Sequence, residues 1–349
     1  MRAFAYLSQG QAGWIEKKIP KPTGVDGVIR PLLVAPCTSD VHNVAINCLA
    51  PHRILGHEGL GEIVAVGEGV KDFQVGDVVV VPPVTPDWRT VPSQLGAHQH
   101  CSGLITGQKL SNSEDGLMAE YTLIRDLDAN AARIPPGVSW EGAVMAADML
   151  NTGLYGAQLA DVQPGDTVVV MGVGPVGLMA IAGARLRGAG RILAIGSRKA
   201  GVELARFYGA TDVLNYKEGD VTRQVYALTH KQGADCCICA GGGTEALGQA
   251  VAMVRWGGTV GNVNYFTTYG DLPVNNVRYG FGMGNKTIRG GECPGGRGRM
   301  EKLLALLQYG RVDPVPLITH RFQGLEQVET AFRLMAEKPP ELVKAVVAL

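Results

Sequence analysis

Residues 167–171, Thr-Val-Val-Val-Met, run directly into Gly172-Val173-Gly174-Pro175-Val176-Gly177 and then into an alanine-rich stretch that reaches Arg187. No other feature constrains the fold as much. A β-branched run, a glycine turn and a helix make half of a crossover unit, and parallel strands need such crossovers. The pattern repeats. Residues 191–196 read as a second strand, 199–208 as a second helix and 212–215 as a short third strand, with further strands over 234–240 and 258–264. This alternation predicts an α/β domain built on a doubly wound parallel sheet.

In that setting the glycines gain a role. The first, Gly172, permits the tight turn. The second, Gly174, lets a pyrophosphate approach the backbone, and the third, Gly177, lets helix and strand close up. Pro175 and Val176 open the helix, whose N-terminal amides and positive dipole end favour phosphate. A glycine-rich turn of this kind also occurs without a nucleotide in other α/β folds. The end of the second strand separates NADP from NAD. An NAD site carries a carboxylate there, whereas this chain has Ala-Ile-Gly-Ser-Arg-Lys at 194–199. Gly196 leaves room, Ser197 can hydrogen-bond, and Arg198 can grip a phosphate with its fork of donors. The plainer reading is that Arg198 and Lys199 begin the next helix on its solvated face. NADP is the expectation.

The first half is different in kind. Residues 59–67 and 75–83 are valine- and glycine-rich and read as short strands with tight turns, and little before Trp140 has helical period. Ser139 is an N-cap candidate for a helix beyond it. Helices over 299–308 and 325–337 and a strand over 342–348 close the chain. At 349 residues, two domains are expected.

Lysine plus arginine and aspartate plus glutamate both number 32, so no net field draws the chain to nucleic acid or to an acidic membrane. The N-terminal residues lack the apolar core of a signal peptide. The most apolar stretch, 168–184, is broken by four glycines and a proline, which makes it a poor membrane span. Seven cysteines, an odd number, argue against a disulfide framework, and a cytoplasmic location is expected. Cys236, Cys237 and Cys239 resemble a metal cluster, but they lie in a short apolar run that suits a buried strand.

One constellation remains. Residues 35–42 read Ala-Pro-Cys-Thr-Ser-Asp-Val-His, and residues 56–59 read Gly-His-Glu-Gly. The spacing of Cys37 and His57 fits no zinc finger, but a catalytic zinc needs only three protein ligands, which distant segments can supply. Asp148 is a lone acid in Val-Met-Ala-Ala-Asp-Met-Leu, where an unpaired carboxylate would be costly. Glu58 is a fourth ligand or a support for one. On residue chemistry alone the group is either a metal site or a polar loop.

The three motifs together, Cys-Thr-Ser-Asp-Val-His, Gly-His-Glu-Gly-Leu-Gly-Glu-Ile-Val and Gly-Val-Gly-Pro-Val-Gly, resemble the zinc-dependent medium-chain alcohol dehydrogenases over essentially the whole chain. The stretches at 35–40, 85–90, 196–198, 262–266 and 293–297 are most similar to the microbial NADP-dependent secondary alcohol dehydrogenases. The resemblance implies a Rossmann domain over 151–294 and a strand-rich GroES-like catalytic domain over 1–150, completed by about 295–349. It implies one catalytic zinc on Cys37, His57 and Asp148, with Glu58 as an exchangeable ligand. Ser39 would touch the substrate oxygen and His42 would pass its proton outward. Ser197, Arg198 and Tyr216 would hold the adenosine phosphate, with Thr38, Thr152 and Tyr265 also on the cofactor. Pro83, Val84, Gln108 and Cys293 would line the substrate pocket. The expected reaction is reversible oxidation of a secondary alcohol to a ketone, in a homotetramer whose interface could include 279–284.

Departures bear on substrate range. Between Pro92 and Gly116 only Cys101 is present, where many relatives have four cysteines, so no structural zinc is expected. Gln108 stands where the secondary alcohol enzymes tend to carry tryptophan, and Pro83 replaces a smaller residue. Two other readings compete: a metal-free quinone or enoyl reductase of the same superfamily, and a nucleotide-binding structural protein without turnover. The joint presence of Cys37, His57 and Asp148 disfavours the first, and the second predicts cofactor binding with no zinc and no dependence on Ser39.

Overall fold

A computed structural model describes residues 1–266, 270–276 and 280–349. Two compact units emerge: residues 1–148 with 293–349, and residues 149–292.

The contiguous unit is a six-stranded sheet in the order Asp212–Leu214, Arg191–Ile195, Thr167–Met171, Ala234–Cys239, Val254–Asn262, Thr287–Gly290, and every neighbouring pair is parallel. The chain works outward from Thr167–Met171 in one direction, returns, and works outward in the other. Its reversal lies between Thr167–Met171 and Ala234–Cys239, where such sheets open a crevice at their carboxyl ends. Val168 to Val170 are fully buried, as expected for a central parallel strand covered on both faces. Cys236, Cys237 and Cys239 line the adjacent strand, all buried, and burial pushes the Cys239 thiol up to about 12. They are inert core.

Two differences from the sequence reading have physical causes. The fifth strand starts at Val254, four residues before 258: Val254 pairs with Ala234, the register shifts across residues 255–258, and pairing resumes with Thr259 opposite Cys236. The sixth, Thr287–Gly290, was not expected. All four of its residues are exposed, so the edge strand carries no apolar run to betray it.

The other unit holds a seven-stranded sheet: Ile318–Gln323, Lys344–Ala348, Gly27–Val34, Gly59–Val66, Val78–Val81 and Ala132–Arg133 in that order, with Thr122–Ile124 also paired to Gly27–Val34. Gly27–Val34, Gly59–Val66 and Val78–Val81 pair antiparallel, and the late strand Lys344–Ala348 docks antiparallel on Gly27–Val34. A core of Phe4, Tyr6, Ile29, Ile63, Val79, Leu117, Met118 and Val347 fills the interior. Contrary to the reading of little helix here, Thr38–Ala45 is helical, so residues 38–42 of the quoted motif form a turn of helix rather than a polar loop. Among the described residues no helix is long and apolar enough to cross a membrane.

Candidate active site: a metal centre and a dinucleotide cradle

The strand-rich unit brings Cys37, His57, Glu58 and Asp148 together, with one ligand atom from each all within 4.8 Å of one another. Each arrives by a different device. Cys37 is the N-cap of helix Thr38–Ala45. His57 and Glu58 precede strand Gly59–Val66, and the chain enters them through Gly56 at φ 91°, a left-handed conformation that glycine adopts without strain. Asp148 sits in a π-helical turn, Ala146–Leu150, between helices Trp140–Met145 and Asn151–Leu159. Such one-turn widenings are frequent at functional sites. Ser139 caps the first of these helices, accepting from the Gly142 amide at 3.1 Å.

His57 is held by its far nitrogen. Nδ1 lies 3.2 Å from Asp40 Oδ1, leaving Nε2 toward the cluster, 3.7 Å from Asp148 Oδ2. The same Asp40 oxygen accepts from Ser111 Oγ at 2.6 Å and from the Gly56 amide at 3.3 Å, and Asp40 and Ser111 are both fully buried. A carboxylate behind the imidazole fixes its tautomer and raises its basicity as a ligand. Ser39 Oγ donates to Cys37 Sγ at 3.1 Å and lies 3.3 Å from His57 Nε2. His42 follows Ser39 by three residues on one helix face, half-buried, but no direct hydrogen bond links the two. Burial and the Lys338 charge hold its imidazole below the ordinary histidine value.

Lys344 is the unexpected member. It is 1% exposed, and its Nζ donates to Glu58 Oε1 at 2.6 Å. Burial works against ionising Cys37, yet the Lys344 charge and the His57 hydrogen bond outweigh it and bring the thiol down to about 7. Burial also favours a neutral Lys344 amine, but Glu58 and Cys37 keep it an ammonium. Burial raises the Glu58 carboxyl, and Lys344 opposes that rise.

The donors fit zinc. A soft sulfur, an imidazole nitrogen and carboxylate oxygens are its ligand types, and ligand atoms on a tetrahedron of zinc bonds sit roughly 3.3–3.8 Å apart. Glu58 Oε2 is buried and without a hydrogen-bond partner, an acceptor the protein alone does not satisfy. Cys101 lies apart, its thiol against Thr106.

The proposed pocket residues also converge within this unit. The register that sets Gly59 opposite Val81 carries the chain on into Pro83 and Val84, beside the end from which His57 and Glu58 emerge. Val84 bridges to Gln108, and Gly295, two residues past the buried Cys293, lies so close to Val84 that a Cβ there would fall 1.9 Å from its carbonyl oxygen.

In the other unit, Gly172 through Gly177 form the turn between the strand Thr167–Met171 and helix Pro175–Leu186. A Cβ on Gly177 would lie 2.0 Å from the Gly172 carbonyl oxygen, so only glycine lets the helix begin this close to the strand. Gly174 is the N-cap, with the Arg198 guanidinium 3.6 Å from where its Cβ would be. Ser197 and Arg198 lead into helix Lys199–Tyr208, and Gly196, Ser197, Lys199, Arg206 and Asn215 line a cavity of about 350 Å³. Packing also requires glycine at 196: a Cβ there would fall 2.1 Å from Val173 Cγ2. Tyr216 follows Asn215 and is exposed, Tyr265 is exposed after the strand Val254–Asn262, and Thr152 sits in helix Asn151–Leu159.

Sequence reasoning missed Asp40, Ser111 and Lys344 as parts of the centre. Asp40 stood inside the quoted motif, and its place three residues after Cys37 was the available signal. Ser111 and Lys344 carried none.

Residues 25–136 match the model of the alcohol dehydrogenase GroES-like domain, and residues 175–308 match that of the zinc-binding dehydrogenases. The chain belongs to this zinc-binding alcohol dehydrogenase family. It is 52% identical to the NADP-dependent isopropanol dehydrogenase of Thermoanaerobacter brockii and 51% identical to that of Clostridium beijerinckii, over all of each chain. Among solved structures it is similar to alcohol dehydrogenase TADH from Thermus sp. ATN1, with a TM-score of 0.86 at 30% identity, covering all of this chain and 99% of that one.

Proposed function

We propose that this protein catalyses the reversible oxidation of secondary alcohols to ketones, transferring hydride to NADP at a zinc centre held by Cys37, His57 and Asp148. The observation that carries the reading is the convergence of a sulfur, an imidazole nitrogen and two carboxylates from Cys37, His57, Glu58 and Asp148. Zinc there supplies a Lewis acid that polarises the substrate oxygen and brings the alcohol's ionisation toward neutral pH, and NADP supplies the hydride acceptor.

This chain's residues do the rest. Asp40 fixes the His57 tautomer so that Nε2 faces the ligand cluster. Ser39, already within hydrogen-bond reach of Cys37 and His57, takes the hydroxyl proton from the substrate. His42 releases it to solvent, and since Ser39 and His42 do not touch, an intervening hydroxyl or water must connect them. Gly172 to Gly177 receive the pyrophosphate, while Ser197, Arg198 and Tyr216 take the adenosine phosphate. Thr38, Thr152 and Tyr265 complete the cofactor contacts. A pocket bounded by Pro83, Val84, Gln108 and Cys293 admits ketones bulkier than acetone, because an amide replaces a large ring.

The same reading places the enzyme in the cytoplasm, where its free thiols, Cys48 exposed among them, stay reduced. It also makes it a homotetramer. An exposed edge strand, Thr287–Gly290, with Trp256 and Met283 exposed in the same unit, supports self-association. Of the segment 279–284, Tyr279 lies outside the described residues.

The test is the initial rate of propan-2-ol or butan-2-ol oxidation with NADP and with NAD, before and after zinc chelation and re-addition. Zinc-reversible activity that strongly prefers NADP is expected. Active protein containing no zinc would overturn the reading in favour of a metal-free reductase.

A further inference from the structure

The amides of Gly295 and Gly296 belong to no helix or sheet ladder, so where they donate is informative. Gly296 donates to the Val84 carbonyl at 3.2 Å. Gly295 donates instead to an imidazole: His98 Nε2 accepts its N–H at 3.2 Å, across 197 positions of chain. An imidazole accepts there only when it is neutral and carries its proton on Nδ1. Burial and the neighbouring His100 hold His98 below the ordinary histidine value, which favours that form.

The ring is clamped. His98 stacks on Trp88, with centroids 4.8 Å apart and planes 29° from parallel. Trp88 is pinned in turn, its Nε1 donating to Oδ1 of the fully buried Asn130 at 3.0 Å. The indole also fills the space beside Gly296, where a Cβ would fall 2.2 Å from Trp88 Cζ2. The backbone of the same short turn, His98–His100, reaches other parts of the pocket wall. The Gln99 carbonyl accepts from the Gly107 amide at 2.8 Å, next to Gln108, and the Gly107 carbonyl accepts from Thr85 at 2.9 Å, next to Val84. One turn of chain therefore ties together the segments that carry Val84, Gln108 and Cys293. A histidine serving only to pack would need its ring and not its lone pair.

We propose that His98 is a positioning residue for the substrate pocket: its Nε2 lone pair fixes Gly295, and with it the wall at Cys293, against Val84, and so helps set which alcohols fit. This rests on the reading of the pocket and the reaction given above.

The experiment compares kcat and KM for propan-2-ol and 1-phenylethanol, with NADP, in wild type, His98→Phe and His98→Gln. Phenylalanine keeps a ring against Trp88 and has no acceptor. Glutamine gives up the ring but carries an amide oxygen that can take the place of Nε2. Without the acceptor, the Cys293 segment loosens and the smaller substrate is held less closely. His98→Phe should raise KM for propan-2-ol about tenfold and move the kcat/KM ratio about tenfold toward 1-phenylethanol, leaving kcat for propan-2-ol within about twofold. Zinc content and NADP affinity should not change. His98→Gln should return the ratio to within about threefold of wild type. A wild-type ratio in His98→Phe would overturn the proposal. So would equal shifts in both variants, since packing and not the acceptor would then be responsible. Should His98→Phe fail to fold, His98→Gln still decides: a ratio near wild type supports the tether, and a shift of about tenfold refutes it. Wild type that oxidises neither alcohol would sink the reading of the reaction, and this inference with it.

Discussion

The metal centre and the dinucleotide cradle are built by opposite means. The centre is an assembly of side chains from segments far apart in sequence, closed around buried charge, with Glu58 and Lys344 separated by 286 positions. The cradle is backbone: a short glycine turn whose essential property is the absence of atoms, with Gly177 against the Gly172 carbonyl. A side-chain site should fail through chemistry and spare the fold. A backbone site should fail through sterics and spare the chemistry.

The largest break in that contrast is expected from Cys37→Ser. It should lose zinc and roughly 10³-fold in kcat/KM, the several kcal/mol a Lewis acid supplies, while NADP still binds with little change. Metal analysis beside cofactor fluorescence reads both halves at once. Ser39→Ala comes next, with kcat down about 10²-fold or more and zinc retained, as expected for loss of a proton acceptor. A solvent isotope effect that changes with it would tie Ser39 to proton movement.

Gly177→Ala is the converse experiment. A single methyl must displace backbone, so NADP affinity should fall at least about tenfold with zinc content intact. If zinc were lost as well, the two sites would not be separable in the way their construction suggests. Arg198→Ala sharpens the cofactor half: KM for NADP should rise roughly tenfold or more while that for NAD barely moves, since only one of them carries the extra phosphate. The smallest effect is expected from Gln108→Trp, a few-fold shift toward propan-2-ol and away from aryl secondary alcohols, measured as a ratio of kcat/KM values.

The same contrast explains what could be read in advance. The cradle was legible because local rules produce it: a β-branched run, a turn only glycine can make, a helix N-terminus, all within residues 167–187. The helix Thr38–Ala45 was not, since seven of its eight residues are poor helix formers or β-branched and tertiary packing overrides them. At the centre, the ligand residues drew attention by type, but convergence was invisible to any local pattern. Lys344 shows the limit. It sits among Ala, Val and Leu near the end of a strand, where a lone lysine reads as a strand terminus facing solvent, and only the fold reveals it against a glutamate from the first sixty residues. Ser111 is similar: a loop serine at φ 67° whose role depends on Asp40 arriving from another element.

The division of the chain also bears on the order in which the protein comes into being. Residues 149–292 form one uninterrupted unit, whereas the other unit needs 293–349 to join 1–148. On a ribosome, domains fold broadly as their residues emerge. The nucleotide-binding unit is therefore fully synthesised while the strand-rich unit is still missing Ile318–Gln323 and Lys344–Ala348. Throughout that interval Cys37 and Glu58 exist without the Lys344 cation that opposes their charge. A newborn chain can own its nucleotide-binding sheet well before its metal residues have the surroundings that make them a site.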